Sequence, residues 1–388
     1  VETVVAIWVG AAMNMYIATE RIALSNLWIT AQRACPIIAV LWMVNVRGIL
    51  DPVEGLKSFA VMSAALFICV SLFATALIVF IDHRLFPRLK KITKASMREL
   101  LHIGGWNAVS VTSLGMHTRI DAILMNLFLG LGGNLIYGFT SQLTSYVRML
   151  AMGVSYGLDA VTTRITSNEG DAILKDLCFH ITRLNSCIAM PAAAGLFILA
   201  EPILTIWVGD RMGDSTTELP MTATLIRVMS VGMVIRALTD GWIKILYGAG
   251  HVSKYAPLIL CAVVANPILA IVLYFVLPES IRFTFAVSAY SAVYLIANLG
   301  LLPRLMGKLM GCGAISILTP MIRPLVVTVI SMTGLAFAVS QFEQWSLARL
   351  FGVSACYGMV YVGLVMLIVL RTPERRRVVQ LLKRSVKR

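Results

Sequence analysis

Charge is scarce in this sequence, and acid is scarcest. Only 19 Asp and Glu stand against 33 Lys and Arg in 388 residues, and charged residues of both signs make up 13%. A soluble domain carries about 25% charged and about 45–50% apolar residues, whereas the apolar share here is 59%. No polar stretch between the apolar runs is long enough to build a core of its own, which excludes a soluble domain. The motifs GxxxxGK(S/T) and HExxH are missing, so no ATPase or zinc-protease site of those designs is expected. The five histidines (His83, His102, His117, His180, His251) are dispersed, and none stands at metal-ligand spacing from another. The seven cysteines are scattered through the apolar runs without a CxxC, and they read as small buried hydrophobes with no disulfide framework and no metal site. The expectation is a non-enzymatic chain with no cofactor. Without an ATP site, any transport it performs has to run on gradients or on substrate flux.

What is present is a series of apolar runs, at about 3–19, 31–50, 57–81, 104–130, 134–162, 177–200, 222–247, 256–277, 283–303, 320–340 and 346–370. Each is near the roughly 20 residues that span a bilayer as a helix. Proline and glycine punctuate them at Pro52, Pro87, Gly132-Gly133, Pro202, Pro220, Pro278, Pro303 and Pro320. The expected fold class is therefore all-α, a polytopic bundle of about 11 transmembrane helices. The net charge of +14 is no sign of nucleic acid. Taking alternate loops together, 22 Lys and Arg fall on one side and 5 on the other, the asymmetry of cytoplasmic against outer loops. It places the 82–103 loop and the C-terminal tail in the cytoplasm and Val1 outside. No charged leader precedes that outside start, so an odd number of spans is expected to be missing before Val1. The tail RTPERRRVVQLLKRSVKR reads first as an ordinary solvated stop-transfer segment, and second as a surface for anionic lipid.

Charge inside the runs is the remaining signal, because each charge at bilayer depth costs at least ~2.5–3.5 kcal/mol unless it faces protein or water. Six bases (Arg119, Arg148, Arg183, Arg227, Arg236, Lys244) and three acids (Asp121, Asp159, Asp240) lie there. Arg148 and Arg236 sit nearest mid-span; Arg183, Arg227 and Asp159 lie nearer the ends. Arg236, Asp240 and Lys244 fall on one helical face at i, i+4 and i+8. That ladder has two readings: intrahelical salt bridges that ease insertion, or a cationic strip for an anionic substrate with Asp240 holding the cations. Arg119 and Asp121 point to different faces and are not expected to pair. Asp121 reads equally as a proton or sodium site and as a structural partner for Arg148 or Arg236. Asn107, Gln142 and Tyr146 add polar surface to the same stretch, which alone says little, since polar residues often join membrane helices.

Four segments carry a family likeness: GGWNAVSVTSLGMHTRIDAILMNLFLG from 104, IYGFTSQLTSYVRMLAMGVS from 136, EPILTIWVG at 201–209 and ILYGAGHVSKY at 245–255. Together they resemble the polysaccharide flippases of the MATE-like (MOP) exporter superfamily, the O-antigen and exopolysaccharide translocases. The resemblance covers roughly 95–310 well and the rest by topology. It implies two six-helix lobes with part of the N-terminal lobe missing. Residues 1–90 would hold three helices of that lobe and the start of the linker, 91–310 the complete C-terminal lobe, and 311–388 two added helices and the basic tail. It further implies translocation of an undecaprenyl-pyrophosphate-linked oligosaccharide across the cytoplasmic (inner) membrane by alternating access. Arg148, Arg236, Lys244 and Arg119 would then be the pyrophosphate contacts, and Asp121 and Asp240 the candidates for H+ or Na+ coupling. The implied partners are the lipid-linked oligosaccharide, membrane lipids and polysaccharide polymerase or assembly proteins. Three readings compete: a multidrug or small-cation antiporter of the same superfamily, a membrane polysaccharide polymerase or ligase, and a non-transporting assembly partner. Six bases against three acids speak against a cationic substrate, and the small 201–221 loop against a polymerase.

Overall fold

Lipid offers no partner to backbone N–H and C=O groups, so an apolar run in a bilayer satisfies them by coiling. In the computed structural model of the chain, every regular element among the described residues is helical. Those residues are 15–16, 21–44, 52–81, 93–168, 171–209, 218–342 and 344–370. Nearly all of the expected first run, most of the 82–103 loop, residues 210–217 of the outer loop and the tail from 371 lie outside them. Eight helices are long and apolar enough to cross a membrane, and one of these, Gly104–Thr166, holds both runs expected at 104–130 and 134–162. The chain is thus a multi-pass membrane protein. Its contacts divide it into two compact units, Val1–Met97 and Arg98–Arg388.

In the first unit, α1 (Ile22–Trp42) lies antiparallel to α2 (Pro52–Ile81). Trp28 packs edge-on to Phe73 at 5.7 Å, and Gln32 donates to Ser71 Oγ at 3.0 Å. The helix starts earlier than the run expected at 31–50, because its polar N-terminal half finds partners. Thr30 Oγ1 donates to the Asn26 carbonyl at 2.8 Å, and Gln32 finds α2.

The second unit takes in all but the first turn of α3 (Lys94–Ser155), broken at Gly130, whose φ of 71° and ψ of −163° are open in practice only to glycine. The break falls just before the Gly132-Gly133 pair. Its two arms fold back on each other, with Tyr137 donating to the Thr118 carbonyl at 3.2 Å. Then follow α4 (Leu158–Asn168), α5 (Asp171–Val208), α6 (Glu218–Gly248), α7 (Val252–Val276), α8 (Glu279–Leu309), α9 (Ala314–Ser340) and α10 (Leu347–Val369). A π-helical stretch, Leu295–Leu301, interrupts α8.

The unit is built around α6. Its most apolar stretch is 67% buried, against 11% for α10, so α6 is the pillar and α10 lines the outside. Glycines let its neighbours close in: a Cβ at Gly232 would stand 2.7 Å from Tyr290 on α8, and one at Gly241 would stand 2.6 Å from Ile181 on α5. Small residues at such crossings allow close backbone approach where lipid supplies no hydrophobic drive between helices. The outward faces of the unit remain apolar, with Leu131, Phe275 and Ile315 at 70% exposure or more. Cys261 and Cys356 are also exposed, as is Cys69 in the first unit. These three correct the expectation that the cysteines are buried, because a lipid-facing surface accepts a small apolar side chain as readily as a core does.

The crossing at Gly241 is a stability test. Gly241→Leu overpacks the α5–α6 contact and should cost about 1–3 kcal/mol, lowering the thermal midpoint of the detergent-solubilised chain. Gly352→Leu on α10, where a Cβ meets nothing within 4 Å, should leave the midpoint unchanged.

Candidate functional site

The charges on α6 do not pair along their own helix. Arg148, on the second arm of α3, reaches Asp240 with its Nε 2.7 Å from Oδ2 and its Nη2 3.3 Å from Oδ1. This is a two-pronged pair, its side chains 27% and 11% exposed, and its fork geometry fixes the guanidinium plane as well as its position. One turn further, Lys244 Nζ lies 3.5 Å from Asp159 Oδ2 at the start of α4. The ladder reading of intrahelical bridges is therefore corrected. A membrane protein gains more from a charge pair that ties two helices together, and both acids are spent that way.

Arg236 differs. It is 6% exposed, its Nη2 donates to the Leu114 carbonyl on the first arm of α3 at 3.0 Å, and its guanidinium stands 5.7 Å from the ring centroid of Tyr294. Among the described residues no carboxylate lies within salt-bridge distance of it. A carbonyl dipole and an aromatic face hold this buried cation in place without neutralising it.

Asp121 meets neither arginine, which corrects the reading of it as their structural partner. It is fully buried and accepts from Asn266 Nδ2 of α7 at 2.6 Å. Its second oxygen, Asn266 Oδ1 and the nearby His117 Nδ1 have no partner among the described residues. His117 packs against Tyr294 at 5.0 Å and Tyr290 at 6.1 Å. Arg148, Arg236 and Asp121 lie within electrostatic range of Tyr290, and Arg148, Arg236 and Asp240 within that of Tyr294. Four of the six residues singled out from the sequence thus gather around one tyrosine pair. Lys244 stands apart with Asp159. Arg119 is exposed on α3 without an ion pair or hydrogen bond among the described residues, and it does not pair with Asp121.

The π-helical stretch of α8 adds Asn298, which donates to Thr239 Oγ1 at 2.6 Å, beside Asp240. Such stretches recur at functional sites because they re-aim a side chain. Sequence reasoning missed Asn266, Tyr290, Tyr294 and Asn298. Asn266 had a readable signal, since it is the one amide in the apolar run from Leu258 to Leu273. The tyrosines had none, because they look like ordinary apolar filling.

Apolar helices joined by interhelical charge pairs define a polytopic membrane protein, and comparison with known proteins agrees. The lipid II flippase MurJ, in an inward closed conformation, shares the fold with a TM-score of 0.54 at 11% identity, over 88% of this chain and 66% of that one. The model of the family described as polysaccharide biosynthesis protein matches residues 5–216, more than half of the sequence, and the chain belongs to that family. It is also 30% identical to the uncharacterized membrane protein EpsK of Bacillus subtilis (strain 168) over 122 residues, which are 31% of this chain and 24% of that protein. The chain spans a little under two thirds of the flippase, and its match to EpsK spans about a quarter of that protein. The likeness to polysaccharide flippases is thereby borne out.

The Arg148–Asp240 pair is open to a double-mutant cycle. Arg148→Gln strands the buried Asp240 carboxylate and Asp240→Asn the partly exposed Arg148 guanidinium, so both should lower the thermal midpoint, the second by less than the ~3–5 kcal/mol of a fully buried pair. The double variant strands neither, so it should cost less than the sum, with a coupling of about 1–2 kcal/mol. Additive losses would show that the two side chains do not act as a unit.

Proposed function

We propose that the chain translocates an undecaprenyl-pyrophosphate-linked oligosaccharide from the cytoplasmic to the outer leaflet of the cytoplasmic membrane, for cell-surface polysaccharide biosynthesis. The observation that carries this reading is the pair of arginines beside Tyr290 and Tyr294. Among the described residues, one is paired with Asp240 alone, and the other is buried without a carboxylate. A pyrophosphate is an anion that asks for forked donors in a dry setting. On this reading it displaces Asp240 from Arg148 and gains Arg236 as a second donor, with Lys244 and then Arg119 as later contacts. The polyprenyl tail stays in lipid while the sugar crosses by alternating access, and the basic tail marks the cytoplasmic side. Family membership and fold support translocation in general; the pyrophosphate and the order of contacts are our reading. A cationic substrate fits less well, because Asp240 and Asp159 are spent on bases and Asp121 is held by Asn266.

Asp121 is the proposed coupling site. It is a buried carboxylate with one oxygen on Asn266 and one without a protein partner, so it can take up a proton or a small cation without breaking an ion pair. Asp240 can serve coupling only while it is released from Arg148.

In proteoliposomes holding a fluorescent undecaprenyl-pyrophosphate oligosaccharide, Arg148→Gln/Arg236→Gln should slow flipping more than tenfold at unchanged protein level. Wild-type flipping by that double variant would end the proposal. Asp121→Asn should keep substrate binding and lose the response to an imposed Na+ or H+ gradient. A full response in that variant would remove Asp121 from coupling.

A further inference from the structure

The first unit carries a cation of its own at bilayer depth. Arg33 stands at the start of the run expected at 31–50, so hydropathy alone leaves it at a helix end beside the preceding basic loop. Because α1 begins at Ile22, Arg33 instead has 11 helical residues before it and nine after. Its level follows from its neighbour. Gln32 donates to Ser71 Oγ at 3.0 Å, and Ser71 lies 14 residues from Lys57 and 10 from Ile81, the ends of the apolar span of α2. At 1.5 Å per residue the nearer end is about 15 Å away, which is the midplane of a roughly 30 Å core. α1 stays beside α2 to its far end, where a Cβ at Gly55 would stand 3.7 Å from Met43. One side chain cannot snorkel over about 15 Å, so Arg33 has to meet water or an anion at that depth.

Polar groups gather on the same face. Asn26, Thr30 and Arg33 stand at i, i+4 and i+7 on one side of α1, and all three are exposed. Beyond Arg33 that side turns apolar, with Ile37 and Val40 exposed. Pro36 has no N–H to give the Gln32 carbonyl, so an acceptor next to Arg33 loses its helical donor. Such a group is tolerated inside a bilayer where protein or water meets it. α1 is accordingly not among the eight helices apolar enough to cross, although it lies against one that is. The stripe thus opens at the Arg21 end of α1, the end on the side of the basic loops, and closes at mid-bilayer on a guanidinium. Among the described residues Arg33 has no ion pair and no hydrogen bond from its side chain.

Donor chemistry sets the ligand. A guanidinium with an amide on its face and no acid beside it takes an oxyanion. A cation would be repelled, and a neutral sugar would leave the charge unmatched. We infer that the Asn26–Thr30–Arg33 stripe lines a water-filled path to mid-bilayer and that Arg33 binds a polyphosphate at its end. That this anion is the pyrophosphate of the lipid-linked oligosaccharide rests on the flipping reading; the wet path and its affinity for an anion do not.

Thiol labelling in proteoliposomes tests the path, with a membrane-impermeant methanethiosulfonate present on both sides. Thr30→Cys is expected to react above the background of the seven native cysteines, and Val40→Cys to stay at it. Inorganic pyrophosphate should slow the Thr30→Cys reaction. In Thr30→Cys/Arg33→Gln the pyrophosphate concentration needed should rise about tenfold, the worth of one charged contact, and in Thr30→Cys/Arg33→Lys it should rise less. Thr30→Cys at background, or equal protection with and without Arg33, would overturn the inference. Arg33→Gln removes an unpaired cation and should hold or raise the thermal midpoint. A fall would reveal a carboxylate partner and overturn it too.

Transport then identifies the anion. With the fluorescent undecaprenyl-pyrophosphate oligosaccharide, Arg33→Gln should slow flipping about tenfold. Wild-type flipping by that variant would strike the substrate contact while leaving translocation through Arg148 and Arg236 in place. Absence of flipping by the wild-type chain would end the flipping reading, and with it the substrate assignment, but not the pyrophosphate protection at Thr30→Cys.

Discussion

The Arg148–Asp240 pair is the constraint on which the rest of the second unit turns. A lone arginine at that depth costs several kcal/mol, and a lone aspartate costs as much. Joined across α3 and α6 with two short contacts, the two charges cancel most of that cost and register the hairpin against the pillar. Everything around the pair follows from keeping α6 central. Glycines bring α5 and α8 close, Trp242 gives its indole N–H to Thr182 Oγ1 at 2.7 Å, and Asn298 reaches back to Thr239. Each of these is a polar or steric lock between α6 and a different neighbour, which is how helices find register where lipid is as apolar as leucine.

Much of the architecture was legible in the sequence because hydropathy reports what a bilayer demands. The runs near 104–130, 134–162, 177–200, 222–247 and 256–277 all correspond to helices. The errors have local causes. At α1 the polar half of the helix hides in partner contacts and so reads as loop. At α3 the turn falls at Gly130, which takes positive φ, rather than at the glycine pair that follows it. The site was legible as a set of residue types and illegible as a set of partners. Spacing at i, i+4 and i+8 is a one-helix quantity, and it suggested bridges along α6. The acids chose partners 92 and 85 residues away, and no local pattern encodes that choice. Asp121 illustrates the same limit, since its partner is a neutral amide on α7 that carries no charge to count.

What the sequence did convey is the imbalance. Bases outnumber acids inside the spans, and the structure shows the consequence in space. Asp240 and Asp159 are each consumed by one base, so Arg236 is left with a carbonyl and an aromatic face. That arrangement is unusual in a finished structural network, where a buried cation would normally be matched. It suits the anion site proposed above, because a cation already neutralised by protein would have nothing to offer a substrate.

The two arginines then divide the labour. Arg236 is held rigidly and keeps its charge; Arg148 is held by a carboxylate that an incoming anion can replace. A site made only of unpaired arginines would be too costly to insert, and one made only of paired arginines would bind nothing. On the proposed reading, having one of each would let the empty state exist in lipid and the loaded state form by exchange, with Asp240 as the leaving partner.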